Sequence, residues 1–373
     1  MKSLTDALRS NNLPEVKSLL AGKYKNNPLI NEEEDDCRRC PLHIAAAKGQ
    51  VEALQVLLQA GAKVDQATHL GATALYFAAE EGQVEALSVL LQAGAKVGQA
   101  RNDGITTLSI AAYMGHVEAL PVLLQAGAKV DQADNEGVTP LFVAAIEGHT
   151  AALSVLLQAG AQVDQARNEG TTPLFVAAEE GHVEVMQVLL QAGANVDKAN
   201  NNGAMPLLIA AYKGHVEAIQ VLLQAGAQID KANKNGVTPL YVAAQKGHVK
   251  VLSVLLQGGA QVDQVTNEGA TPLYATAEEG HVEAMQVLLQ AGANVDKANN
   301  NGTMPLWITA YKGQVKAMQV LLQAGANVHK VNNNGATPLW IAAQESHVEA
   351  MQVLLQAGAN VDKANHNGAP CHF

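Results

Sequence analysis

One spacing dominates the chain: aligned with itself, it repeats every 33 residues without an insertion or deletion. The position held by Thr139 recurs as Cys40, Thr73, Thr106, Thr172, Met205, Thr238, Thr271, Met304 and Thr337, giving ten repeats between Cys40 and Ala369. A unit this short cannot bury an apolar face alone, so its repetition predicts a stack in which each copy is covered by its neighbours. Residues 133–165, ADNEGVTPLFVAAIEGHTAALSVLLQAGAQVDQ, show what is stacked. Thr139 can cap a first helix with its hydroxyl, and Pro140 suits the first helical position, where no amide hydrogen is needed. Leu141, Ala144 and Ala145 give that helix a narrow apolar face, and Gly148 stops it. His149 opens a second helix with Leu153, Leu156 and Leu157 at helical spacing, and Gly160 ends it before the polar turn Asn168-Glu169-Gly170.

This pattern resembles the ankyrin repeat. Residues 236–263, GVTPLYVAAQKGHVKVLSVLLQGGAQVD, follow the family's G-x-TPLH-x-AA-x-x-GH and V-E-x-x-x-x-LL-x-x-GA-x-V-D almost literally, and the likeness extends over residues 40–369. The resemblance implies an all-α solenoid of paired antiparallel helices with β-hairpin fingers and a concave face lined by the first helices. It also implies a non-catalytic scaffold or adaptor that binds another protein through that face and the finger tips. Residues 1–39 read as an N-terminal capping repeat, with helices around Leu4–Leu8 and Pro14–Leu20, followed by an acidic loop, Glu32-Glu33-Glu34-Asp35-Asp36. Residues 370–373 read as the truncated start of an eleventh repeat, which would leave apolar surface exposed at that end.

Composition narrows the partner. The net charge is −11 and only five residues are arginine, which argues against tracking phosphates, so no nucleic acid is expected. Residues 1–39 are balanced in charge, so the repeats carry the whole excess and favour a basic partner. The N-terminus has no apolar core of signal-peptide length, and no run approaches a membrane span, so a soluble, cytoplasmic protein is expected. Three cysteines without framework spacing fit a reducing compartment.

A longer period lies beneath the short one. The residues between the alanine pair and the glycine recur every 99 residues: Glu80-Glu81, Glu179-Glu180 and Glu278-Glu279; then Tyr113, Tyr212 and Tyr311; then Ile146-Glu147, Gln245-Lys246 and Gln344-Glu345. Duplication of three-repeat blocks explains the period, and it also creates a periodic surface for an extended or repetitive partner.

Aromatics are only 3% of the chain, so their placement carries information. Seven of 13 stand three residues after the threonine position (Tyr76, Phe142, Phe175, Tyr241, Tyr274, Trp307, Trp340), and Tyr113, Tyr212 and Tyr311 stand four further on. A spacing of four shares one helix face. The resemblance puts that face on or beside the groove, where the rings either grip a partner or cover the next helix. The finger-tip pairs Asn102-Asp103, Asn135-Glu136, Asn168-Glu169, Asn201-Asn202, Lys234-Asn235 and Asn267-Glu268 match positions that border it, although polar turns need such residues in any case.

Catalytic and metal chemistry are not expected. Seven of the twelve histidines (His116, His149, His182, His215, His248, His281, His347) are one motif position, and Gln50, Gln83 and Gln314 replace them elsewhere, which fits a loop hydrogen bond better than metal or acid-base work. Cys37-Arg38-Arg39-Cys40 has CxxC spacing without a second pair, since Cys371-His372 lies far along the chain. The glutamate pairs have no nucleophile or phosphate loop nearby, so they read as solvated charge or contacts to a basic partner. No cofactor is implied, and the alternative to a scaffold is a structural or elastic spacer. Four departures stand out: Pro121 within a second helix, Ser346 for the loop glycine, and Gly98 and His329 for the finger aspartate. Pro121 is expected to soften repeat 3.

Overall fold

The computed structural model describes residues 3–24, 27–32 and 39–361. Among these are 22 α-helices and a short 3₁₀ turn, Pro28–Asn31, with no strand longer than an isolated bridge. The acidic residues Glu33–Asp36, Cys37, and the whole of the eleventh-repeat segment lie outside the described residues.

Repeat 4 shows why the unit folds as it does. Thr139 is extended, and its Oγ1 accepts from the amide of Phe142 at 3.2 Å, starting the helix Pro140–Ile146. Gly148 then takes φ +75°, a left-handed conformation that glycine adopts without steric cost, and the second helix runs Thr150–Gln158. Neither helix is long enough to stand alone. They bury Leu141, Ala144 and Ala145 against Ala152, Leu153 and Leu156, all inaccessible to solvent, and the alanines let the backbones come close. Within each compact unit first helices also pack on one another, as Pro140–Ile146 does on Thr107–Tyr113 and Pro272–Glu279 on Pro239–Gln245. Met205 and Met304 carry no capping oxygen and are buried, so repeats 6 and 9 exchange a cap that contributes about 1 kcal/mol for apolar packing.

Three ladders join successive repeats. In the first, His149 Nε2 donates to the carbonyl of Tyr113 at 2.9 Å; the same bond links His116 to Glu80, His248 to Tyr212 and His347 to Tyr311. Gln314 Nε2 makes it to Glu278 at 3.1 Å, so an N–H donor is what the position requires. A Cβ on Gly115 would lie 2.9 Å from the His149 ring, so the loop glycine is needed for space as well as for its φ of +71°. In the second ladder, a finger aspartate accepts from an amide 31 residues on, as Asp65 does from Lys96 at 2.9 Å and Asp230 from Gln261 at 3.0 Å. In the third, a tip asparagine donates back to the preceding tip, as Asn135 Nδ2 does to the carbonyl of Asn102 at 3.2 Å.

The fingers are tighter than paired strands. Asp134 closes one as an Asx turn, its Oδ1 accepting from Glu136 and Val138, both at 2.9 Å, and the one bridge among the described residues is Ala67 with Thr73.

The chain divides into two compact units: Met1–Ala177 with Glu184–Asn195, and Ala178–Val183 with Val196–Phe373. In the first unit, helices Leu4–Arg9 and Leu13–Ala21 pack on Pro41–Ala47 and Val51–Gln59, burying Leu4, Leu8, Val16 and Tyr24. Gln50 Nε2 and Lys48 Nζ donate to the carbonyls of Leu8 and Arg9, both at 2.7 Å, which ties repeat 1 to the helix Leu4–Arg9. Repeat 3 deviates at Pro121: its second helix, Ala119–Gln125, is two residues shorter than the others. Leu120 bonds to Val117 at 3.3 Å instead of to His116, which turns the chain more tightly and leaves the proline in the first turn, where it breaks no helical bond. Gly98 has no carboxylate to offer the amide of Lys129, and a hollow of about 910 Å³ lined by Gly98, Gly127, Lys129 and Asp131 opens there.

In the second unit, repeats 6 to 10 are regular, with second helices of nine residues throughout. Ser346 adopts φ +60° where the other repeats have glycine. Val348 and Leu355 of its last helix are exposed. No helix among the described residues is long and apolar enough to cross a membrane.

Candidate functional site

The two aromatic positions diverge in the structure. The residue three after the cap begins the helix and turns inward: Tyr76, Phe142, Phe175 and Tyr274 are buried, while Tyr241, Trp307 and Trp340 are half-buried. Burial pushes the Tyr241 and Tyr274 hydroxyls up to about 12, and the carboxylates of Glu278 and Glu268 add to it. Tyr76 is also raised by burial, against the pull of Arg101, whose Nη1 donates to its hydroxyl at 3.1 Å. Arg101 in turn pairs with Asp103 at 2.9 Å.

Four residues further along the first helix, in repeats 3, 6 and 9, Tyr113, Tyr212 and Tyr311 are 44%, 40% and 41% exposed. Their surroundings differ although they are 99 residues apart. The Lys246 ammonium lies 4.7 Å from the centre of the Tyr212 ring. Trp307 stacks on Tyr311 with centroids 5.8 Å apart and planes at 13°. The Tyr113 ring has neither a cation nor a ring over it among the described residues. The Trp307 indole Nε1 is shielded and finds no acceptor among them.

The glutamate pairs split as well. Glu80, Glu179 and Glu278 are half-buried, and Glu81, Glu180 and Glu279 are exposed. Burial raises the Glu80 carboxyl above its ordinary range, Glu81 raises it further, and Arg101 and Arg39 oppose them. Glu179 pairs with Lys213 at 3.4 Å. In the second unit, therefore, the first-helix ends carry both signs: Glu179-Glu180, Lys213, Lys246, Glu278-Glu279, Lys312 and Glu345. A uniformly acidic face is not present there. In repeats 2 to 4 of the first unit the same positions read Glu80-Glu81, Tyr113-Met114 and Ile146-Glu147, without a lysine.

The finger-tip asparagines are committed to the ladder between repeats: Asn102 to His69, Asn267 to Lys234, Asn300 to Asn267. The residue after each, such as Asp103, Glu136 or Glu268, is exposed, and its carbonyl accepts from the amide of the next tip asparagine, as Asp103 does from Asn135 at 3.1 Å. Sequence reasoning overlooked Met114 and Lys213, and it placed Lys246 in the 99-residue series without giving it a role. The signal was available, since Met114 stands 99 residues from Lys213, and Glu147 stands 99 from Lys246. No group of three or more histidine, cysteine or acidic residues able to hold a metal ion occurs among the described residues.

A family model described as ankyrin repeats (3 copies) matches residues 4–101, 94–167, 162–233, 207–299 and 292–365. The chain belongs to the ankyrin-repeat family. Among solved structures, the crystal structure of the human ASB11 ankyrin repeat domain is similar, with a TM-score of 0.55 and 33% sequence identity, over 60% of this chain and 99% of that one. Among curated proteins no match was found. Ankyrin repeats are, as a family, protein-binding modules and typically non-catalytic scaffolds.

Proposed function

We propose that this ankyrin-repeat protein is a non-catalytic scaffold or adaptor that holds a partner protein on the face lined by its first helices, with the finger tips bordering the contact. The observation that carries the reading is the exposure of three tyrosines at one register position, where packing within the repeat does not require a ring. Tyrosine gives a large contact area for little loss of side-chain freedom. In the second unit Trp307 stacks on Tyr311, and Tyr241, Tyr274 and Trp340 hold the same first-turn position in other repeats; Glu80, Glu81, Glu179, Glu180, Glu278 and Glu279 supply charge that favours basic groups. Three cysteines without framework spacing suit a reducing compartment, and the cytoplasm is the setting this reading assumes.

The test is cross-linked affinity capture from cell lysate, comparing the intact protein with a variant carrying Tyr113→Ala, Tyr212→Ala and Tyr311→Ala, both shown to be folded by circular dichroism. Partners lost with the variant support the reading. An identical set from both overturns the tyrosine face as the binding surface. Reproducible capture by neither favours the spacer, to which near-identical joints between repeats also lend themselves.

A further inference from the structure

Resting on that reading, we propose that Tyr113 is the seat for a lysine or arginine side chain from a basic segment of the partner, with Glu81 and Glu147 as its counter-charges and Met114 beside its aliphatic stem. The protein contains its own template for this contact. In repeats 6 and 7 the tyrosine at this register position, Tyr212, is covered by the ammonium of Lys246. A cation over the face of a tyrosine is attracted by the ring's quadrupole, and here the molecule supplies both halves.

Repeats 3 and 4 present only one half. Glu147 stands where repeat 7 has Lys246, and Met114 stands where repeat 6 has Lys213. The ring that covers Tyr311 in repeat 9, Trp307, is replaced in repeat 3 by Ser109, which is buried and 3.0 Å from the Thr106 hydroxyl. Both devices that cover the other two tyrosines are therefore missing at Tyr113. Met114 is 45% exposed beside it, and Glu81 and Glu147 are exposed on the neighbouring repeats. Arg101 is engaged with Tyr76 and Asp103. An open ring face, an adaptable thioether and two exposed carboxylates complement a cation on an alkyl stem.

The experiment uses the full chain and a fluorescein-labelled peptide of alternating lysine and alanine, followed by fluorescence anisotropy, with a glutamate-alanine peptide as the control. The lysine peptide is expected to bind, the glutamate peptide not to, and the affinity to fall as salt rises. Tyr113→Ala and Glu147→Lys should each weaken binding about tenfold, the second by installing the cover seen at Tyr212. Glu147→Gln should give a smaller loss. Glu52→Lys, an equal change of net charge at an exposed site on a second helix, should leave affinity unchanged. Lys246→Glu should uncover Tyr212 and add a second binding equivalent. Equal affinities for the wild type, Tyr113→Ala and Glu147→Lys overturn the site, and so does an equal loss in Glu52→Lys, which would mark a general charge effect. No binding of the lysine peptide overturns the preference for a cation; if lysate capture still depends on the tyrosines, the scaffold reading survives without it.

Discussion

At the scale of single residues, a few positions hold the repeat to its geometry. Ser346 keeps a left-handed φ of +60° with a side chain that disfavours it, so Ser346→Gly should stabilise repeat 10 by about 1 kcal/mol. Denaturation followed by tryptophan fluorescence will register this, because Trp340 belongs to the same repeat. Gly115→Ala should do the reverse and cost about 1–3 kcal/mol, since the added carbon meets both an unfavourable φ and the His149 ring; slower thermal unfolding than wild type would contradict it. Tyr241 and Tyr274 make stability depend on pH at the alkaline end. Their hydroxyls ionise near 12 in the folded chain and near 10 when unfolded, so the neutral form favours folding. Their contribution is complete below pH 10 and disappears as pH rises towards about 12. A double Tyr241→Phe, Tyr274→Phe variant should therefore lose less stability over that interval than the wild type, measured by denaturant midpoints.

At the scale of the helix pair, the departures from the repeat have specific costs. Pro121 shortens its helix to seven residues and substitutes a tighter turn. Pro121→Gln, the residue found in repeats 1, 5, 6, 8, 9 and 10, should restore the two missing residues and raise amide protection over residues 117–125 towards that of residues 216–224. Unchanged hydrogen exchange there would show that the shortened turn is not the weak point. The helix boundaries were legible in the sequence because each has a local cause: a threonine oxygen that can reach an amide, a proline at the first position, a glycine with positive φ. The environments of the three tyrosines were not legible in the same way. Tyr113, Tyr212 and Tyr311 share a register, and their difference comes from Lys246 and Glu147 on the next helix and from Trp307 and Ser109 one turn earlier. It takes the packing of one helix beside another to show that these side chains meet.

At the scale of the whole molecule, the principal helix contacts among the described residues of each compact unit link neighbouring repeats, so stability is distributed along the unit. Both tryptophans lie in the second compact unit. Leu120→Ala, which removes a fully buried side chain from the first unit, should shift or broaden the unfolding transition seen by circular dichroism while moving the tryptophan transition much less. Transitions that move together would mean that the two units unfold as one. The sequence period does not announce the division between the units, which passes through repeat 5 even though that repeat carries the full motif. The ladders have a different consequence. Where they form between two of the ten repeats, their bonds reach 31, 33 or 36 residues along the chain. A joint of this kind does not distinguish one neighbour from another. Genetic exchange between misaligned copies could therefore add or remove whole repeats and leave every joint intact, whereas the loss of a single residue would put three sets of bonds out of step at once. The protein is free to change its length only in steps of 33 residues.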